Sequence, residues 1–211
     1  MIKQSKCKIC RRLGEKLFLK GERCSSAKCA VIKRPYAPGQ KPKRRKAGIS
    51  EYGRELKEKQ KIKRSYNLTE QEFRGYVQVL LDTKTKAVDD TPSALIQSIE
   101  TRLDNVVFRL GLSKSRAEAR QMVSHGHFTV NGRRTDIPSR QLKIGDKIAI
   151  RKGSKEKAVF KNIEEKAKKA IIPTWLSMDK EILEAEIKRY PKIDDVQLMG
   201  EVSAVFEHYS R

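Results

Sequence analysis

Apolar residues recur at helical spacing through most of this chain and switch to alternation only past its middle. Leu103, Val106, Val107 and Leu110 fall at i, i+3, i+4 and i+7, and Gly111 follows where a helix ending in a left-handed residue needs no Cβ. Ser115 and Glu118 have capping-box spacing, so a second helix opens there and carries Ala119, Met122 and Val123 on one edge. After residues 124–127 the period becomes 2: Phe128 and Val130 face one way, and Asn131-Gly132 is the signal of a type I′ hairpin. Helix, corner, helix, strand and hairpin are the predicted order.

The same reading extends to both ends. Residues 50–66 predict a helix dense in cations, anchored by Leu56 and Ile62. Thr69 and Glu72 make another capping box, followed by Phe73, Tyr76, Val77, Leu80 and Leu81 on one stripe. Residues 83–90 are a polar connector; Thr91-Pro92 starts a helix with Leu95, Ile96 and Ile99. Beyond the hairpin, Leu142 and Ile144 lead through Gly145-Asp146 to the alternating Ile148 and Ile150, so a small antiparallel sheet is expected. Residues 155–170 predict a helix burying Val159, Phe160, Ile163 and Ala167, broken by Pro173. Residues 175–178 and 185–188 read as a strand pair, although Ile182 and Leu183 between them equally suit a helix, and Val202, Val205, Phe206 and Tyr209 read as a terminal helix whose partner is the 73–81 helix.

Charge adds a partner to this outline. The 48 Lys and Arg against 26 Asp and Glu leave a formal net charge of +22. Residues 1–64 hold 22 basic and 5 acidic side chains, a net of +17, which leaves +5 for the rest. Residues 102–157 hold 14 basic and 5 acidic, or +9, a second cationic surface. Such a balance calls for a polyanion. A membrane surface would want an amphipathic basic helix with an apolar insertion face or a lipidation signal, and no run of 18 apolar residues or signal-peptide pattern is present. Neither a membrane nor a small-molecule substrate is expected, and the setting is intracellular.

All four cysteines lie in the first 29 residues, as Cys7-x-x-Cys10 and Cys24-x4-Cys29. Both spacers suit a tetrahedral four-thiolate site, so a structural Zn2+ is expected, with an iron–sulfur cluster as the alternative. Disulfides would suit so small a segment but not a reducing compartment, and no βαβ pattern surrounds Cys7 as thioredoxin chemistry would require. Residues 31–50 follow with Pro35, Pro38, Pro42 and the run Lys43-Arg44-Arg45-Lys46, a segment expected to order on RNA. The fold class is α+β: a metal-stapled knob with its basic linker at 1–46, an all-helical lobe at 47–91 with 196–211, and at 92–195 a lobe of antiparallel β-sheet packed on short helices.

The residues Arg102-Leu103-Asp104-Asn105, Ser115-Arg116, Ala119-Arg120 and His125-Gly126-His127-Phe128-Thr129-Val130-Asn131-Gly132 resemble the S-four RNA-binding module, here at 102–151. With the four cysteines, the run 59–66 (KQKIKRSY) and the ending 207–211 (EHYSR), the whole chain looks like the bacterial-type small-subunit ribosomal protein S-four family. His208 stands where that family commonly has an aromatic, and the 83–92 connector does not align with its pattern. The resemblance implies direct binding of small-subunit ribosomal RNA where several helices join, a start to assembly of the subunit body, and an influence on decoding accuracy. It also implies proteins S-five and S-twelve as neighbours and the chain's own messenger RNA as a further ligand.

Charge and resemblance together single out the RNA contacts. In the N-terminal part they are Arg11, Arg12, Arg44, Arg45, Lys46, Tyr52, Arg54, Lys57, Lys61 and Arg64; Tyr52 and Tyr66 are base-stacking candidates, although an aromatic bordering a helix is more often core. In the module they are Arg102, Lys114, Arg116, Arg120, His125, His127, Asn131, Arg133 and Arg134. Arg116 and Arg120, one turn apart, repel each other unless something negative lies against them. An enzyme is the rival class, since pseudouridine synthases carry the same module. Here Thr101 replaces the glycine of their Gly-Arg-Leu-Asp, and no catalytic domain is left over. A free-standing RNA-binding regulator is the other rival, though such proteins are usually shorter and lack the cysteines.

Overall fold

Side-chain caps open three of the helices, at Ser50, Thr69 and Ser115. In the computed structural model, which describes residues 5–39, 48–83, 91–161, 163, 167, 170–179 and 182–210, Ser50 Oγ accepts from Gly53 N–H at 3.2 Å. Thr69 and Glu72 bond reciprocally, Thr69 N–H to Glu72 Oε2 at 2.8 Å and Glu72 N–H to Thr69 Oγ1 at 3.2 Å, so the expected capping box is formed. The described residues before 88 together with those from 198 onward make one compact unit, and those from 91 to 197 another.

The first unit is helical. Three short helices, α1 (Lys6–Leu13), α2 (Glu22–Ser25) and α3 (Ala30–Lys33), carry the cysteines, and α1 packs on α3 and meets α4 (Glu51–Ser65). α5 (Glu70–Thr83) follows, burying Phe73 and Val77 completely. The terminal helix α9 (Val202–Ser210) buries Val202, Ala204, Val205 and Phe206, but its main partner is α4, not the 73–81 helix that periodicity suggested. Its end reaches α5, through the Tyr209 and Phe73 rings at 6.3 Å and the Tyr209 hydroxyl donating to Glu70 at 2.9 Å. Gly200 makes the docking possible, since a Cβ there would lie 3.0 Å from the Glu58 carbonyl and 3.1 Å from Ile62.

The cations of α4 are not all solvated, as a cationic surface helix would have them. Lys59 and Lys63 are buried and converge on the Glu70 carboxylate. Burial alone would raise the Glu70 pKa, but the hydrogen bonds from Lys63, Lys59 and Tyr209 outweigh it and hold the group at about 2.

The second unit contains α6 (Thr91–Glu100), α7 (Leu103–Arg109), α8 (Arg116–Ser124) and a five-stranded antiparallel sheet. Its strands are β1 (Phe128–Val130), β2 (Arg133–Thr135), β3 (Lys147–Ile150), β4 (Leu176–Asp179) and β5 (Glu184–Ile187), in the order β2-β1-β3-β5-β4. Asn131 and Gly132 have φ of 52° and 77°, the left-handed pair a type I′ turn requires. The inward residues Phe128, Val130, Ile148, Ile150, Ala185 and Ile187 pack against the α7 stripe and against Ala119, Met122 and Val123 of α8. Trp175 and Leu176 complete this core. Residues 152–154 and 158–160 form 3-10 turns, so the helix expected at 155–170 does not begin where periodicity placed it. Phe160, Ile163 and Ala167 are buried as expected, whereas Val159 is exposed. No helix among the described residues is long and apolar enough to cross a membrane.

Candidate nucleic-acid interface

In the first unit, Arg11 is set by the chain around it. Its Nε donates to the carbonyls of Arg34 at 3.1 Å and Tyr36 at 3.0 Å, and its guanidinium lies over the Tyr36 ring, 5.0 Å from the centroid. Beside it opens a hollow lined by Ser5, Cys7, Lys8, Arg11, Arg23, Lys28, Ala30, Lys33 and Arg34: six cations and no carboxylate. Lys8, Arg23, Lys28, Lys33 and Arg34 are not among the RNA contacts that charge and resemblance single out. The signal for Lys8 was its place one turn before Arg11 and Arg12 on α1. Arg12 is exposed. Arg44, Arg45 and Lys46 lie outside the described residues.

On α4, Tyr52 is 53% exposed, with its ring 5.1 Å from that of His208, and it keeps a surface open for stacking. Arg54 is exposed, with Glu201 at 3.8 Å; Lys57 and Arg64 are half-buried. Lys61 departs from expectation. Its Nζ lies 2.6 Å from Glu15 and 2.8 Å from Glu58, and its side chain is only 13% exposed, so it ties α4 to the segment after α1. Burial pulls its pKa down, but the bonds to Glu15 and Glu58 prevail and raise it.

In the second unit, three predicted contacts have internal duties. Arg102 is 1% exposed and bonds bidentately to Asp104, Nε to Oδ1 at 3.0 Å and Nη2 to Oδ2 at 2.8 Å. His127 is also buried, with Nδ1 3.0 Å from Ser154 Oγ and its ring edge-on to Phe160. Burial, then the neighbouring Lys157, His125 and Arg151, push its pKa down. Asn131 donates to Asp146 Oδ1 at 2.7 Å and accepts from Lys147 N–H at 2.9 Å, so it closes the hairpin onto the next loop.

The others belong to α8, its flanking residues and β2. Ser115 caps α8 by accepting from Glu118 N–H at 3.3 Å, while Glu118 Oε2 accepts from Lys114 N–H at 2.6 Å. Lys114 and His125, one just before and one just after α8, are exposed. Arg116 and Arg120 both meet acceptors on α7, a neutral amide for the first and a carboxylate for the second. Arg116 Nε donates to Asn105 Oδ1 at 2.7 Å, and Arg120 Nη1 lies 3.9 Å from Asp104. Arg133 and Arg134 are exposed on β2. Arg134 lies against Gly126, where φ is +68° and a Cβ would come within 2.5 Å of the Arg134 Nε.

The four cysteines are not joined by disulfides and line one cavity together with Leu19, Phe18 and Val31. Burial pushes the Cys10 thiol up; a backbone bond at Leu17 opposes it, and the other three cysteines add to the rise. The Lys20 N–H donates to Cys24 Sγ at 3.4 Å. Among the described residues no three His, Cys, Asp or Glu side chains form a ready metal-binding group, although four unlinked thiols at one cavity are a donor set suited to a thiolate-binding ion.

The chain matches the family described as ribosomal protein S4/S9 N-terminal domain over residues 1–100 and the S4 domain over residues 101–148. It is 48% identical to the small ribosomal subunit protein uS4 of Ruminiclostridium cellulolyticum over 97% of this chain and 96% of that protein. It is 47% identical to the uS4A of Alkaliphilus metalliredigens, at the same coverage, and 43% identical to the uS4 of Koribacter versatilis over 99% of this chain and 98% of that protein. With one N-terminal helical unit, one S4 domain and near-complete coverage, the chain belongs to the small ribosomal subunit protein uS4 family.

Proposed function

We infer that this chain is a structural constituent of the small ribosomal subunit, held in the cytoplasm on the ribosome by direct contact with small-subunit ribosomal RNA, and that it catalyses no reaction. Likeness to uS4 proteins over 97% of the chain carries this reading, and it speaks against a free-standing regulator or modification factor. The cationic groups are disposed to match. In the first unit, the carboxylate-free hollow and the exposed Arg12, Tyr52 and Arg54 supply phosphate contacts and one stacking surface. In the second, Lys114, Arg116, Arg120, His125, Arg133 and Arg134 border the corner and read the shape of folded RNA, since A-form grooves hide base edges.

The finer reading is a junction of several RNA helices as the target, with nucleation of subunit-body assembly and a contribution to decoding accuracy as the consequences. Proteins S-five and S-twelve are the proposed neighbours, and the chain's own messenger RNA a second ligand. Cys7, Cys10, Cys24 and Cys29 would hold a structural Zn2+, or an iron–sulfur cluster, which when bound ties α1 to the segment before α3. Sedimentation tests the main reading: the chain should stay with the small subunit through high-salt gradients, and its loss at moderate salt would overturn the assignment.

A further inference from the structure

Arg116 occupies the first position of α8, where the helix dipole disfavours a cation. What holds it there is a relay of buried groups. Asn105 Oδ1 accepts from Arg116 Nε at 2.7 Å, and the Phe108 ring supports the guanidinium, 4.6 Å from its centroid. Asn105 is itself 2% exposed, and its amide nitrogen donates to Glu100 Oε2 at 2.6 Å and to the Glu100 carbonyl at 3.1 Å. Glu100 is fully buried, and Arg109 clamps it from the other side, Nε to Oε2 at 2.9 Å and Nη2 to Oε1 at 2.5 Å.

The order of donors matters. A carboxylate can only accept, so Glu100 compels Asn105 to turn its nitrogen inward and its oxygen outward. An outward oxygen is the one amide orientation that can accept from Arg116. A buried ion pair is also weak evidence for stability, because an apolar pair of equal volume is often as stable. The Glu100 carboxylate is therefore better explained by what it orients than by what it stabilises.

We propose that Glu100 and Asn105 are positioning residues for RNA recognition: Glu100 fixes the amide of Asn105, and Asn105 fixes the guanidinium of Arg116 for contact with an RNA phosphate. This rests on the reading above that Arg116 faces RNA. The gain is preorganisation, since a guanidinium already held loses less freedom when it meets its ligand.

A double-mutant cycle on the full chain tests it, with affinity for a small-subunit ribosomal RNA transcript as the readout. Asn105→Ala should weaken binding about tenfold in the native background and under twofold in the Arg116→Lys background, because lysine offers no Nε for Asn105 to hold. Glu100→Gln should show the same dependence on residue 116. Should Asn105→Ala fail to fold, Asn105→Leu replaces it: it keeps the volume of the side chain and can accept nothing from Arg116. Equal losses in both backgrounds would overturn the positioning role while leaving the RNA contact standing. An Arg116→Ala variant that binds like the native chain would instead remove the contact itself, and the proposal with it.

Discussion

Arg102 and Asp104 form a bidentate ion pair almost sealed from solvent, with side chains 2% and 8% exposed. The strand-like bridge between Arg102 and Gln141 pins the arginine backbone, and Asp104 lies in the first turn of α7, where a carboxylate suits the helix dipole. Removing one partner leaves the other charge buried. Arg102→Met should therefore cost about 3–5 kcal/mol of stability in urea unfolding. Adding Asp104→Leu should recover much of that loss, and RNA affinity per folded molecule should stay near native.

Arg116 and Arg120 should behave in the opposite way. If each neutralises a phosphate, replacing both with glutamine should flatten the slope of log affinity against log salt by roughly one to two units. Lys61→Met is the control from the other unit: its ammonium is taken up by Glu15 and Glu58, so stability should fall and the salt slope should hold. A change of slope for Lys61→Met with none for the arginine pair would reverse the assignment of these cations.

The contrast marks where sequence reading succeeds. The corner was legible because its signals are local: the 103–110 stripe, the Ser115 cap and the left-handed Asn131-Gly132 pair all lie within a few residues of what they specify. The first three strands followed from alternation and the turn residues between them. What stayed hidden was which cations face inward. Lys61 is neutralised by Glu15, 46 positions away, and Arg102 and His127 look like surface residues until the 141 and 154 segments close over them. The terminal helix misled for the same reason: its stripe shows that it packs, but contacts between distant positions, such as Glu58 with Gly200 and Tyr52 with His208, show that it packs on α4.

Glu70 makes the first unit sensitive to acid. Its pKa is about 2 in the folded chain against an ordinary 4.5, because Lys63, Lys59 and Tyr209 all donate to it. A carboxyl depressed on folding contributes stability that is complete above about 4.5 and is lost as pH falls toward about 2. Urea stability of the native chain should decline through that window. Glu70→Gln should be less stable at neutral pH and should show a shallower decline, and identical pH profiles would remove Glu70 from the account.

Gly126 links backbone conformation to a cation. A side chain at φ +68° is strained whatever the space, and here the added Cβ would strike Arg134. Gly126→Ala should cost about 1 kcal/mol or more in stability from the backbone alone. It should also displace the Arg134 guanidinium and so weaken RNA binding. Arg134→Ala relieves the collision, so in that background Gly126→Ala should keep its stability cost and lose its effect on affinity.

The cysteines give the sharpest test of the N-terminal helices. α2 and α3 are four residues each and bury no side chain, and Cys10, Leu17 and Cys29 are the buried apolar residues of that segment. So small a core calls for a staple. Native mass spectrometry should find one zinc, or the iron and sulfide of a cluster, lost on Cys7→Ser or Cys24→Ser. Chelation should lower the melting temperature of the chain, since binding energy at such a site is folding energy. It should also weaken RNA binding, because the six-cation hollow is built on the same three helices. A metal-free chain with two disulfides, melting unchanged by a chelator, would reject the metal.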